Sequence, residues 1–380
     1  MAKSKTKRKR TGRRKPPGYL MRRYKKRGRI DTRKAPDWWL SAPEEVEAYL
    51  RSLKGVEVFS LGESAGGRPI LAAAWGEHES LKGRTSTSLA SAIAGGDPEA
   101  FYGKGRRKRQ SFVFLGAAHG TEIEGTVAAL NFLNVVVKGR DLRGRQRTRM
   151  AREGRKLRIV VIPFFNIDGR ARFAERRHFI GVEPDDYRLM SQGNWRTGEK
   201  LSWPKSKLTV PIPPDRVEPL GSYFNDNGVN LVYDAGFGDE AQPETRALIR
   251  FLREEMPDCV LCSHTNSGSL VQPPDAFVPR HYQQRQMHMA AVAGARCRRE
   301  GMKKSSVPRR TESYAGEVFY QTDMIYHVCG ALPLLVEFPC GYQNVPDNPD
   351  EVCDIGMYVI EEIVAFGAAY GFRPEDPRWK

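Results

Sequence analysis

Residues 111–137 read SFVFLGAAHGTEIEGTVAALNFLNVVV. The first eight, Ser111–Ala118, carry Phe112, Val113, Phe114 and Leu115 in one unbroken apolar run, the pattern of a strand buried on both faces. The period then changes. From about Glu122 to Val137, the residues Ile123, Val127, Leu130 and Leu133 recur at helical spacing and predict an amphipathic helix. A buried strand running straight into a helix is the building unit of an α/β sheet.

The alternation continues along the chain. Leu157–Phe164, Cys259–Ser263 and Leu332–Phe338 read as further buried strands. Val56–Leu61 and Pro69–Trp75 read as two short strands joined by the Gly-rich turn Glu63–Arg68. Helices are expected over Glu244–Glu255, about His281–Glu300 and Glu351–Tyr370. An earlier one is expected after Ser41-Ala-Pro-Glu44, which has the form of a capping box and is followed by Val46, Tyr49, Leu50 and Leu53 at helical spacing. Residues 165–240 are rich in Gly, Pro, Asn and Asp and read as long, partly ordered loops. The expected fold class is α/β: a single-domain α/β/α sandwich over residues 35–380, with a mixed, largely parallel central sheet.

Of 380 residues, 40% are hydrophobic and 10% aromatic, enough for a full core, so a wholly disordered chain is excluded. The longest apolar stretches, Ile159–Phe165 and Ala331–Phe338, are far shorter than a membrane span. No apolar segment follows the first basic residues, so a secretory signal is not expected. The six cysteines, at 259, 262, 297, 329, 340 and 353, read as free thiols of a reducing cytoplasm. Cys259-Val-Leu-Cys262 lies in an apolar run without a second such pair and does not open a helix. It therefore reads as neither a zinc ribbon nor a thioredoxin-like motif.

The net charge is +17, and residues 1–34 hold 17 Lys/Arg and one acid, Asp31. The remainder holds 45 bases against 44 acids. The basic character belongs to an N-terminal arm that lacks apolar periodicity and reads as disordered. Three readings of it stand: contact with RNA, DNA or another anionic surface, a solubility tail, or a consequence of start-site choice, with Met21 as an alternative start. Residues 138–158, with ten Lys/Arg and two acids, read as an exposed basic loop or helix end and a second candidate for such contact.

The residues that suggest chemistry follow the strands. His119-Gly-Thr-Glu122 stands at a strand-to-helix corner, where Gly120 lets the backbone turn and the helix N-terminus favours a carboxylate. Alone, such a pair is more often a capping acid beside a loop histidine. His264 follows the strand Cys259–Ser263 and would supply a third ligand, which a catalytic zinc needs along with an open position. Glu337, in Leu334-Leu-Val-Glu337, is a carboxylate in an apolar run. Its burial costs several kcal/mol unless it is paired, metal-linked or protonated. It reads either as half of a buried Glu–Arg pair or as a general base.

At this point the chain resembles the zinc carboxypeptidase family of the carboxypeptidase A type, from about Pro43 to Gly371. Leu61-Gly-Glu-Ser-Ala-Gly-Gly-Arg-Pro-Ile70 is similar to its early G-x-S-x-x-G-R-x-I stretch, and Ala118–Gly125 to its zinc motif. Pro163-Phe-Phe-Asn-Ile-Asp-Gly169 resembles P-x-x-N-P-D-G, and Gln242-Pro-Glu-Thr-Arg246 resembles the P-E-T helix start. The resemblance implies zinc held by His119, Glu122 and His264. It also implies Glu337 as the base that activates water, and Arg196 of Asn194-Trp195-Arg196 at the oxyanion. Tyr314 would be the mobile tyrosine over the substrate, with Tyr320 a weaker match. The implied activity is hydrolysis of a peptide or amide bond, with a zinc amidase or deacylase and a binding protein on an inactive scaffold as alternatives. One stretch departs from the pattern. Where the family has G-V-D-L-N-R-N, this chain reads Gly228-Val-Asn-Leu-Val-Tyr-Asp234. Val232 and Tyr233 replace the Asn-Arg clamp on a substrate carboxylate, so either another arginine, such as Arg188 or Arg280, does this work or the substrate has no free C-terminal carboxylate.

Overall fold

The structure, a computed structural model, describes residues 35–80, 89–97, 107–202, 211–234, 241–265, 271–272, 277–302, 319–341 and 346–374. The basic arm and Tyr314 lie outside the described residues. In chain order the strands are β1 (Val56–Glu63), β2 (Pro69–Trp75), β3 (Ser111–Leu115), β4 (Arg158–Ile162), β5 (Gly193–Trp195), β6 (Val217–Leu220), β7 (Cys259–Thr265), β8 (Val271–Gln272) and β9 (Leu332–Phe338). The helices are α1 (Pro43–Ser52), α2 (Leu89–Ala94), α3 (Glu124–Lys138), α4 (Thr148–Gly154), α5 (Ile167–Arg172), α6 (Pro184–Ser191), α7 (Pro243–Glu255), α8 (Arg280–Arg299), α9 (Gln321–Cys329) and α10 (Pro349–Tyr370).

Seven strands form the central sheet in the order β1-β2-β4-β3-β7-β9-β8. The four middle strands β4, β3, β7 and β9 run parallel, and the outer strands pair antiparallel. The sheet is thus the mixed α/β sheet expected, with its parallel part at the centre. From β3 the chain proceeds to β4 on one side, whereas β7 and β9 lie on the other. The strand order therefore reverses between β3 and β7, and the crevice beyond the carboxyl ends of strands at such a point is where open α/β sheets bind ligands.

Several elements differ from expectation. Ser41 does not cap α1, whose N-cap is Ala42 without a side-chain bond. The Ser41 hydroxyl instead accepts from the Arg177 amide at 3.2 Å. Helix α3 is buried on nearly all sides, not on one face, because α4 and α10 cover what would be its outer surface. The 165–240 stretch contains α5, α6 and the β5–β6 hairpin, built around a small separate core of Leu201, Ile212, Val217, Leu220, Tyr223 and Phe224.

The basic segment 138–158, expected as an exposed loop or helix end, holds the end of α3 and all of α4, and its bases are more engaged than that reading implies. Arg143, only 4% exposed, pairs with Asp141 at 2.9 Å and with Asp354 of α10 at 2.6 Å. Arg145 and Arg147 reach the same Asp354, and Arg149 pairs with Glu362 at 2.5 Å. Arg158 takes Glu255 at 2.9 Å. Arg143, Arg145, Arg147 and Arg149 staple the α3–α4 region to α10, and Arg158 ties β4 to the end of α7, so most of their charge is answered within the fold.

All six cysteines are buried and free. Three positions apart on β7, Cys259 and Cys262 project to opposite sides of the sheet, which rules out a shared metal. No described helix is long and apolar enough to cross a membrane.

Candidate metal centre

Three side chains meet beyond β3 and at the end of β7. One ligand atom each from His119, Glu122 and His264 lies within 4.8 Å of the others, and all three residues are buried. Oε2 of Glu122 stands 2.9 Å from Nδ1 of His119 and 2.9 Å from Nδ1 of His264. Among the described residues this is the one group of three His, Cys, Asp or Glu side chains with such convergence. Burial alone would push the Glu122 carboxyl up. The charge and hydrogen bonds of His119, then those of His264, outweigh it and hold the group well below the usual carboxylate range.

The convergence arises from a turn, not from the first turn of α3 as expected. The Glu122 amide donates to the His119 carbonyl at 2.9 Å, and the helix begins only at Glu124. Just ahead, Ala117 takes φ of 46°, a left-handed conformation whose strain is of order 1–3 kcal/mol and which clusters at functional sites. The Asn166 amide holds the Ala117 carbonyl at 3.0 Å. Gly120 lies against the backbone of Gly169 and Arg170 so closely that a Cβ would collide with it.

The hydrogen-bond network also assigns the tautomer of His119. Oδ1 of Asn230 accepts from the Val232 amide at 3.1 Å, which identifies that atom as the amide oxygen. The same oxygen lies 3.2 Å from Nε2 of His119, so Nε2 carries a proton there and Nδ1 is the ring nitrogen that faces Glu122 and His264. Two Nδ1 atoms and a carboxylate oxygen, buried and mutually oriented, match the donor set of a catalytic zinc site.

Glu337 is the direct register partner of His264 across β7 and β9. Tyr223 links it to the cluster. Its ring stacks on His119 at 3.8 Å between centroids and 22° between planes. Burial raises its hydroxyl well above the ordinary value, and the carboxylates of Glu122 and then Glu337 add to the shift. Sequence reasoning missed Tyr223 because it stands in an irregular stretch with no spacing to flag it.

Several motifs that resemble the family serve as supports here. Asp168 accepts from Ser64 Oγ at 2.6 Å, the Gly66 amide at 2.8 Å and Arg68 Nη1 at 2.6 Å. Asn166 donates to the carbonyls of Ser222 and Tyr223, both at 3.2 Å. Glu244 accepts from the Ala65 amide at 3.0 Å and from Asn225. Together these bonds fix the segment that brings Tyr223 to His119.

The remaining residues of interest are placed as follows. Arg196 is 58% exposed, with bonds to the Asp215 carbonyl at 2.6 Å and to Glu218 at 3.0 Å. Arg188 holds the carbonyls of Gly193 and Leu201 and the side chain of Asn194. Arg280 is exposed at the first position of α8. Tyr233 packs against Tyr320 at 5.4 Å, and burial, with smaller contributions from Tyr320 and Glu122, raises its hydroxyl pKa. Thus Tyr233, which takes the arginine's place in the quoted sequence pattern, is paired with Tyr320.

With this geometry in hand, the match to the zinc carboxypeptidase family model over residues 47–333 completes the assignment: the chain belongs to that family. The matched region ends within β9, before Glu337. Similar solved structures include a metallo-carboxypeptidase from Burkholderia cenocepacia, with 14% identity and a TM-score of 0.52 over 85% of this chain and 68% of that one. A candidate carboxypeptidase from Burkholderia mallei gives 14% and 0.52 over 84% and 65%. Thrombin activatable fibrinolysis inhibitor gives 13% and 0.50 over 86% and 73%. The chain thus spans about two thirds of the length of these bacterial neighbours, and at such identities the likeness establishes the fold. No curated protein matches the sequence.

Proposed function

We propose that the protein is a zinc-dependent hydrolase of peptide or amide bonds. The observation that carries this reading is the buried His119–Glu122–His264 cluster at the point where the strand order reverses, with Glu337 in register beside it. His119 and His264 would hold the metal through Nδ1, and Glu122 through Oε2. Zinc, when bound, would polarise the scissile carbonyl and make water more acidic. The Glu337 carboxylate would take a proton from the attacking water and deliver it to the departing nitrogen. Tyr223 would keep the His119 ring in plane. A role for Arg196 at the oxyanion requires its pair with Glu218 to open, and the Tyr314 role is carried by the family resemblance alone.

A second reading, amidase or deacylase on the same fold, is favoured by one observation. Among the described residues, Val232 and Tyr233 offer no charge for a substrate carboxylate, and Arg188 is occupied with main-chain carbonyls. The test is a panel of free C-terminal peptides, their amidated forms and N-acyl amino acids, assayed with zinc-loaded protein. Hydrolysis within the panel that disappears on zinc removal supports the proposal, and turnover insensitive to chelation would refute it. The arm of residues 1–34 is proposed to lie outside the catalytic body, with any contact to anionic surfaces a property of the arm.

A further inference from the structure

Asn230 is fully buried and both of its acceptor contacts are made by one atom. Oδ1 takes the Val232 amide at 3.1 Å and faces Nε2 of His119 at 3.2 Å. Its Nδ2 is buried without a hydrogen-bond partner among the described residues. The opposite orientation would turn Nδ2 towards the Val232 N–H donor, so the observed one is held although Nδ2 has no partner among the described residues, a cost of about 1–3 kcal/mol. In the family pattern quoted above, the corresponding residue is Asp.

From this we infer that Asn230 is a positioning residue for the metal. Its amide oxygen fixes which ring nitrogen of His119 faces the cluster, and its neutrality holds the zinc affinity below what a carboxylate would give. The inference rests on the zinc reading above. A histidine ligand becomes more basic when its other N–H is donated to an anion, and changes at such outer partners shift metal affinity by about 10–100-fold. A hydrogen bond to a charged acceptor is roughly twice as strong as one to a neutral amide. An amide therefore orients the ring as a carboxylate does, but adds less electron density to Nδ1.

The experiment measures zinc affinity of the full chain by competition with a chromophoric chelator. It compares wild type with Asn230→Asp and Asn230→Ala, and takes His119→Ala as the reference for a lost site. Asn230→Asp keeps both acceptor contacts and is expected to bind zinc about tenfold more tightly, while Asn230→Ala is expected to bind it about 10–100-fold more weakly. If Asn230 only braces the turn to Val232, Asn230→Asp should match wild type. That result, or an alanine variant that holds zinc as well as wild type, overturns the inference. Should Asn230→Ala fail to fold in a thermal melt, the aspartate variant decides alone, on the same criterion. A wild type that binds zinc no better than His119→Ala would sink the zinc reading itself and this inference with it, and is recognised without reference to residue 230.

Discussion

His264 and Glu337 stand opposite each other in register on the adjacent parallel strands β7 and β9. Partners in register on a sheet project to the same face, with their strands about 4.8 Å apart. The distance between a candidate metal ligand and the candidate base is therefore set by backbone hydrogen bonds of the sheet. His119 and Glu122 depend instead on a strained turn beyond β3, braced by Asn166. The site thus combines one rigid side and one side supported by loops.

That division predicts how metal is lost. Purified protein is expected to carry one zinc per chain. His264→Ala and His119→Ala should each remove most of it, as read by elemental analysis after dialysis, because two remaining ligands do not complete a catalytic site. Full occupancy in either variant would exclude this cluster as the zinc site.

Glu337→Gln should retain zinc and the melting behaviour of the wild type, since the amide has the same shape, and should lose turnover by about 10²–10⁴-fold. Steady-state rates with metal content measured on the same samples check this. Wild-type turnover in the zinc-loaded glutamine variant would mean that another group takes the proton.

Much of this was legible in the sequence. Apolar runs such as Leu332–Phe338 can hardly be anything but buried strands, and His119, Glu122, His264 and Glu337 each stand at or after one. What was not legible depends on partners distant along the chain. The ten bases of residues 138–158 look like a free patch until α10 supplies Asp350, Asp354 and Glu362. Ser41 reads as a helix cap until the Arg177 amide claims its oxygen. Tyr223 sits on a loop whose course is fixed by Asn166 and the β5–β6 hairpin, and no periodicity encodes that.

The buried Glu244 is expected to give the molecule a pH dependence of stability near neutrality. Burial, with a smaller contribution from nearby Asp168, pushes its carboxyl up to about 7, while backbone and Asn225 bonds oppose the shift. The native state then binds more protons than the unfolded chain between pH 4.5 and about 7, so stability is full below that window and falls as pH rises through it. A shift of this size corresponds to an upper figure on the order of 3 kcal/mol. Denaturant unfolding at pH 5 and 8 should show wild type losing stability, and Glu244→Gln losing clearly less. Equal losses in both would assign the dependence to other groups.

The last prediction concerns the tyrosines at the missing clamp. A guanidinium that grips a terminal carboxylate through two charge-assisted bonds contributes roughly 1.5–3 kcal/mol, or about 10- to 150-fold in discrimination between free and amidated ends. Tyr233 and Tyr320 offer ring faces and neutral hydroxyls instead. Such groups favour an uncharged or apolar end as readily as an acid one. The wild type is therefore expected to hydrolyse matched free-acid and amidated substrates with kcat/KM values within about tenfold of each other. Val232→Asn with Tyr233→Arg should shift preference towards the free acid, chiefly through KM if the clamp acts in the bound substrate as well as the transition state. Tyr233→Ala should weaken binding of both substrates alike. A wild-type preference for the free acid of about a hundredfold or more would show that another basic residue performs the anchoring. Arg280→Ala is then the first variant to compare, because Arg280 is exposed whereas Arg188 is committed to the carbonyls of Gly193 and Leu201.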